Sequence, residues 1–254
     1  MKIDFKKYSS IKIGGIHDIV MIDKIGDYKD FQIIGDANNI LISNDPKPMA
    51  KLTNRFKYIE LANDELVVGG ATSSGKLFSY TKKNNIAGFE FISALPGCIA
   101  GLVKMNAGLK SYEIFQIVKH INIDGNIVKK DDIIHNYRWT NISGVIYEVV
   151  FDLKYGFDKT AVDIFKKMRA NQPSTPSAGS CFKNPTGFSA GYLIENVGLK
   201  GFRIGDMAYS EIHANFLTNL GDGTYDDAMK LITMAKEKVK DKFGIVLELE
   251  IIII

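Results

Sequence analysis

Leu95-Pro96-Gly97-Cys98-Ile99-Ala100-Gly101 runs on through Leu102-Val103-Lys104 into Met105-Asn106-Ala107-Gly108. Two turns of small residues flank a short apolar piece, and small side chains let a backbone approach a flat ligand closely. Read in isolation, the stretch is a buried turn. Two other clusters share its character. Gly35-Asp36-Ala37-Asn38-Asn39 lies between two apolar runs. Such a turn can present backbone N–H groups to a phosphate. It is not the dinucleotide fingerprint, which needs three glycines and a following helix, and alone it reads as a tight turn. The third cluster is Ser177-Ala178-Gly179-Ser180-Cys181-Phe182-Lys183-Asn184-Pro185. It sets a hydroxyl, an amine and an amide beside a proline-bounded loop. It does not match the G-x-S-x-G elbow, and a cap or turn is the plainer role for Ser180.

Outward from these clusters the chain reads as mixed α and β. Strands are expected at Phe31–Ile34, Ile40–Ser43 and Glu65–Val68, each closed by turn residues. Ser73 or Ser74 is placed to cap a helix running to about Asn84. Asp124-Gly125-Asn126 ahead of Ile127-Val128 is a hairpin signal, and Val145–Lys154 is a β-rich run. Val162, Phe165 and Met168 form one helical stripe, and residues 171–178 read as a loop. Thr224 with Asp227 resembles a capping box opening a helix that Gly244 ends. Val246–Ile254 reads as a strand with Glu248 and Glu250 on one face, and the Ile251–Ile254 run should be buried.

The 254 residues suffice for one large domain or two modest ones without a disulfide or metal staple. The hydrophobic share of 46% and charged share of 24% exclude a disordered or collagen-like chain. A net charge of +3, with no Lys/Arg run longer than two, argues against nucleic-acid binding. The uncharged stretch Phe91–Val103, which no other exceeds in length, contains Pro96 and is too short to span a bilayer. MKIDFKKYSS has no apolar signal core. With Cys98 and Cys181 the only cysteines, two reduced thiols in a cytoplasmic protein are expected. Neither has metal-ligand spacing to Cys or His, so no metal is expected.

Five segments in order carry a family resemblance: PGCIAGLVKMNAG (96–108), Tyr137-Arg138, QPSTPSAGSCFKNPTGFSAGYLIENVGLKG (172–201), SEIHANFLTN (210–219) and GIVLELE (244–250). With them the chain resembles the UDP-N-acetylenolpyruvoylglucosamine reductases, from about Ser10 to Glu250. The resemblance implies an α+β fold. An FAD-binding domain of the vanillyl-alcohol-oxidase type would span 1–155, in lobes of about 1–60 and 61–155. A smaller α+β substrate domain, 156–254, would carry Glu250 back to the active site on its last strand. It implies non-covalent FAD, NADPH as hydride donor and a role in peptidoglycan precursor synthesis. The partner would be a small nucleotide-sugar substrate, with no nucleic acid, no membrane and a monomeric chain.

The resemblance carries over to particular residues. The phosphate loop maps to Gly35, Ala37, Asn38 and Asn39, and the flavin lining to Pro96, Gly97, Cys98, Gly101, Asn106 and Ala107. Arg138 matches the arginine that stabilises the anionic intermediate, Ser180 the proton donor and Glu250 the C-terminal glutamate, with Glu248 as the alternative two residues away. Asn184, Lys200, His213, Tyr192 and Arg169 match positions for the nucleotide and diphosphate. The family usually has three glycines where this chain has Gly35-Asp36-Ala37, and Gly-Gly where it has Ala100-Gly101. A carboxylate facing a diphosphate is unfavourable, so Asp36 is expected to point to solvent. Only residues 139–179 separate Arg138 from Ser180, which matches the family's shorter form, without its extra tyrosine loop. Two readings remain beside this one: another FAD oxidoreductase of the same fold, and a non-catalytic nucleotide-sugar binder.

Overall fold

The structure is a computed structural model and describes residues 1–62 and 64–254. It is mixed α and β, and the chain divides into two compact units that interleave in sequence. One holds Met1, 19–36 and 48–170, and the other 2–18, 37–47 and 171–254. The units therefore do not follow the linear division at 155/156. Ile11, Ile13 and Leu41 belong to the same apolar core as Leu193, Leu217 and Leu231, so segments from the start of the chain fold with its last third.

The first unit is organised by a five-stranded antiparallel sheet in the order Asn126–Lys129, Val118–Ile123, Ile146–Asp152, Glu65–Gly69, Ile59–Ala62. Asp124 and Gly125 join the first two as a two-residue turn, both at positive φ (52° and 88°). That is the twist a type I′ hairpin requires. Among the described residues three α-helices serve this unit: Ser74–Lys83, Ile99–Lys104 and Lys159–Met168. Ser73 caps the first by accepting from Lys76 N–H, and Asp158 caps the third by accepting from Thr160 and Ala161. Leu77, Phe89, Ile99, Val103, Val149 and Phe151 pack into one buried core. Met49–Leu52 lies parallel between residues 19–22 and Gln32–Ile33. This small parallel group delivers the chain to Gly35.

The second unit has a four-stranded antiparallel sheet, Ser177–Ser180, Phe216–Asn219, Met207–Tyr209 and Arg203–Ile204. The Tyr225–Phe243 helix buries Ala228, Leu231, Ile232, Ala235 and Val239 against it. Thr224 caps its start, accepting from Asp227 N–H, and Gly244 at φ 70° ends it. The continuous strand expected over Val246–Ile254 is broken into pieces. Leu249 bridges Phe182, and only Ile252–Ile253 forms a strand, parallel to Ile40–Leu41. The tail is thus stitched to two different segments. Ile251 and Ile254 are buried, as their apolarity demands, whereas Ile252 is exposed. Among the described residues no helix is long and apolar enough to cross a membrane.

Candidate active site

In the first unit the Pro96–Gly101 segment meets two other small-residue stretches, Gly69–Ser74 and Gly35. The Pro96–Gly101 segment docks on the turn after the Glu65–Gly69 strand. Ser74 N–H donates to Gly97 O at 2.8 Å, Ile99 N–H to Thr72 O at 2.9 Å and Ala100 N–H to Gly70 O at 2.9 Å. Residues 69–74, in sequence only a strand end and a helix cap, therefore pack directly on the candidate flavin-lining segment. The signal was present in the small-residue run Gly69-Gly70-Ala71-Thr72-Ser73. Gly35 closes on the same segment: a Cβ there would lie 2.6 Å from Cys98 Sγ. Cys98 is 6% exposed, so its sulfur has little room to move. Gly35→Ala is expected to cost roughly 1–3 kcal/mol by overpacking, read as a lowered urea midpoint. Adding Cys98→Ala should return most of that loss.

Asp36 is only partly turned to solvent and is held in an ion pair. Its Oδ1 lies 3.2 Å from Lys51 Nζ, and the two side chains are 34% and 16% exposed. The pair forms because Lys51 rides on the parallel strand beside Gln32–Ile33, and Ile34 N–H extends that pairing to Ala50 O at 2.9 Å. A lysine fifteen residues away in sequence thus supplies the counter-charge.

Arg138 belongs to the same unit. Its Nη2 donates to Gly108 O at 2.6 Å, and its guanidinium lies 4.8 Å from the centre of the Tyr137 ring. Asn106 is fully buried and works within the protein. Its Nδ2 donates to Glu113 Oε2 at 2.8 Å and to Asn136 O at 3.1 Å. Asn106 thereby ties the segment after Pro96–Gly101 to the loop that carries Tyr137-Arg138. Arg138, Asn106 and, in the second unit, Ala37 all adopt positive φ (55°, 42° and 51°). Such backbone is costly for residues with a side chain and concentrates at functional sites. For Ala37 it is the conformation a glycine would take without cost.

In the second unit Ser180 ends the strand Ser177–Ser180. Ser177 pairs with Thr218 and Ser180 with Phe216, so one extra residue is inserted between them. Gly179, at φ 81° with open space where a Cβ would be, supplies that bulge. Bulges re-aim a side chain at a strand end, and Ser180 is half-buried. The backbone after it is clamped by Asn215, which is 2% exposed. Asn215 Oδ1 accepts from Phe182 N–H at 3.0 Å, its Nδ2 donates to Phe182 O at 2.8 Å, and its carbonyl accepts from Cys181 N–H at 2.7 Å.

The tail packs against this segment of the second unit. Glu250 N–H donates to Cys181 O at 2.9 Å, and Asn39 Nδ2 donates to Glu250 O at 2.9 Å. Asn39, Glu250 and the residue after Ser180 are therefore neighbours. Ser10 reaches the same loop, its Oγ donating to Asn38 O at 3.1 Å and its N–H to Ala37 O at 3.1 Å. The two candidate glutamates differ. Glu248 is exposed and pairs with Lys183 at 3.4 Å, while Glu250 is half-buried. The Cys181 thiol is wholly buried; burial pushes its pKa up, and the Glu250 charge adds to the rise.

Four of the five residues matched to the nucleotide and diphosphate gather around the Ala190–Asn196 helix. Asn184 Oδ1 accepts from Ala190 N–H at 2.9 Å. Tyr192 is 56% exposed on the helix, and His213 stands against Gly191. Asn215 N–H donates to His213 Nδ1 at 3.2 Å, which leaves the proton of the neutral ring on Nε2. Burial pushes the His213 pKa down, and the Lys200 charge pushes the same way. Lys200 pairs with Glu195 at 2.9 Å. Arg169 lies in the first unit as the C-cap of Lys159–Met168, its pKa lowered by burial.

The family model for the C-terminal domain of UDP-N-acetylenolpyruvoylglucosamine reductase matches residues 171–254. A UDP-N-acetylenolpyruvoylglucosamine reductase from Helicobacter hepaticus is 47% identical over 98% of this chain and 97% of its own length. One from Campylobacter jejuni is 43% identical over the whole of both chains. The crystal structure of the Thermus caldophilus UDP-N-acetylenolpyruvylglucosamine reductase superposes with a TM-score of 0.87 at 27% identity, covering 100% of this chain and 98% of that one. With relatives this similar over nearly their full length, the chain belongs to the UDP-N-acetylenolpyruvoylglucosamine reductase family.

Proposed function

We propose that the protein is an NADPH-dependent, FAD-containing reductase that converts UDP-N-acetylglucosamine enolpyruvate to UDP-N-acetylmuramate for peptidoglycan precursor synthesis. The observation that carries this reading is Arg138 anchored on Gly108, at the end of the small-residue segment 96–108. Arg138 is thereby set beside the backbone proposed to line the flavin. The residues fit a flavin nucleotide. Segments 69–74 and 96–101 lie backbone to backbone, and Gly35 leaves no room for a Cβ beside Cys98. In this reading Gly35, Ala37, Asn38 and Asn39 hold the diphosphate. Pro96, Gly97, Cys98, Gly101 and Ala107 lie along the ring system, and Asn106 shapes the segment from behind. The two-lobed FAD-binding architecture, with a smaller substrate-binding part including residues 171–254, belongs to this proposal, as does a cytoplasmic site of action.

FAD held by these residues would supply two-electron hydride chemistry between NADPH and the vinyl carbon of the substrate. The chain's residues must then handle an enolate-like anion conjugated to a carboxylate. The planar fork of Arg138 suits the carboxylate in bidentate fashion. Ser180 donates the proton to the adjacent carbon. A hydroxyl is a weak acid in water, but a carbanion is a strong enough base to take its proton. Glu250 polarises the carboxylate end, and Asn184, Tyr192, Lys200, His213 and Arg169 hold the nucleotide and diphosphate. Lys200 must exchange Glu195 for phosphate to do so.

The test is an anaerobic absorbance titration of the purified protein. Flavin bands that bleach with NADPH and return with the enolpyruvyl nucleotide support the reading. Bleaching without recovery points to another acceptor on the same fold. Glu250→Gln should slow recovery at least tenfold, within the range for a single electrostatic contributor, and Glu248→Gln should leave it within about twofold, as expected of an exposed ion pair. The reverse pattern would move the role to Glu248.

A further inference from the structure

The proposed diphosphate loop contains a carboxylate. Asp36 follows Gly35 directly, and an anion beside a diphosphate is repelled in a partly buried setting. The structure holds that anion against Lys51, 3.2 Å away. Lys51 is not an incidental surface lysine. Its side chain is 16% exposed, and it sits on Met49–Leu52 with a neighbouring strand on either side. The Ile34 N–H bond to Ala50 O carries this pairing to the edge of the loop, so lysine and loop share one register. Both charges also reach the Cys98 thiol. Burial raises its pKa, Asp36 raises it further and Lys51 lowers it. The ion pair therefore lies where the loop meets the 96–101 segment.

We propose that Lys51 is a cofactor-affinity residue, whose ammonium cancels the Asp36 charge so that the loop can receive an anionic diphosphate. This inference rests on the FAD reading. It accounts for how the chain tolerates an aspartate in the loop. It also gives the two residues opposite signs: Lys51 favours the bound diphosphate and Asp36 opposes it.

The experiment titrates apoprotein with FAD and, separately, with riboflavin, which has no phosphate, following flavin fluorescence. Wild type, Lys51→Met, Asp36→Asn and the double variant are compared. Lys51→Met should weaken FAD about tenfold or more because the Asp36 carboxylate loses the Lys51 counter-charge, with riboflavin changed less than about twofold. Asp36→Asn should tighten FAD, and the double variant should return near wild type. Equal loss of FAD and riboflavin in Lys51→Met would make Lys51 a structural residue and overturn the proposal, as would unchanged FAD affinity. If Lys51→Met does not fold, Asp36→Asn decides alone: tighter FAD supports the proposal, and unchanged or weaker FAD overturns it. Wild-type protein that binds neither flavin would remove the FAD reading and this inference with it. Wild-type binding with variants that do not differ would remove the inference alone.

Discussion

In Ser180→Ala, NADPH should still bleach the flavin at the wild-type rate, while recovery on adding the enolpyruvyl nucleotide slows by about 10²–10⁴-fold, the usual value of a positioned proton donor. The asymmetry follows from the proposed chemistry, since no carbanion exists until the substrate takes the hydride. The structure makes the substitution clean. The backbone of Ser180 pairs with Phe216, and the residues after it are clamped by Asn215 and Glu250. These bonds use main-chain atoms of residues 180–182, so loss of one hydroxyl leaves them in place. Stopped-flow absorbance of the two half-reactions is the measurement. Equal slowing of both halves would mean that Ser180 helps hold the cofactor and donates no proton.

Arg138→Lys should slow recovery by about 10²–10³-fold, the loss typical of one preorganised charge-stabilising donor, with little change in the NADPH half-reaction. A charge-only role would predict a mild effect. A lysine, however, is a point charge that does not reproduce both the bond to Gly108 O and a two-point grip on a carboxylate. It would also lose the guanidinium's place on the Tyr137 ring. The positive φ of 55° at this position strains lysine and arginine alike, so the comparison isolates the side-chain head. Near-normal recovery in Arg138→Lys would take Arg138 out of the mechanism.

Elements that close within a few residues were legible from sequence. Ser73 and Thr224 each accept from the N–H group three positions on. Asp124-Gly125 needs only its own two dihedral angles. Features set by distant partners were not legible. Asp36 was expected in solvent because Lys51 could not be placed beside it without the parallel strand pairing. The Val246–Ile254 run looked like one strand because its apolar pattern is regular, yet its pairing passes from Phe182 to Ile40–Leu41. The bulge at Gly179 was equally hidden, because it exists only relative to Phe216–Asn219.

The candidate site divides along the same line. By itself the sequence determined the helices Ser74–Lys83, Lys159–Met168 and Tyr225–Phe243, the Asp124-Gly125 turn, the small-residue clusters and, through five ordered motifs, the family. Each of these depends on residue types at short spacing, where capping, left-handed turns and close backbone approach are local matters. Only the tertiary structure decided that residues 69–74 join the 96–101 segment, that Asn106 and Gly108 anchor the Arg138 loop, and that Glu250 rather than Glu248 lies against the strand end carrying Ser180. It alone joined residues 2–18 and 37–47 to the last third of the chain. Those outcomes turn on which distant strands pair and which apolar faces are buried together, and these are set by the whole chain's burial and hydrogen bonding.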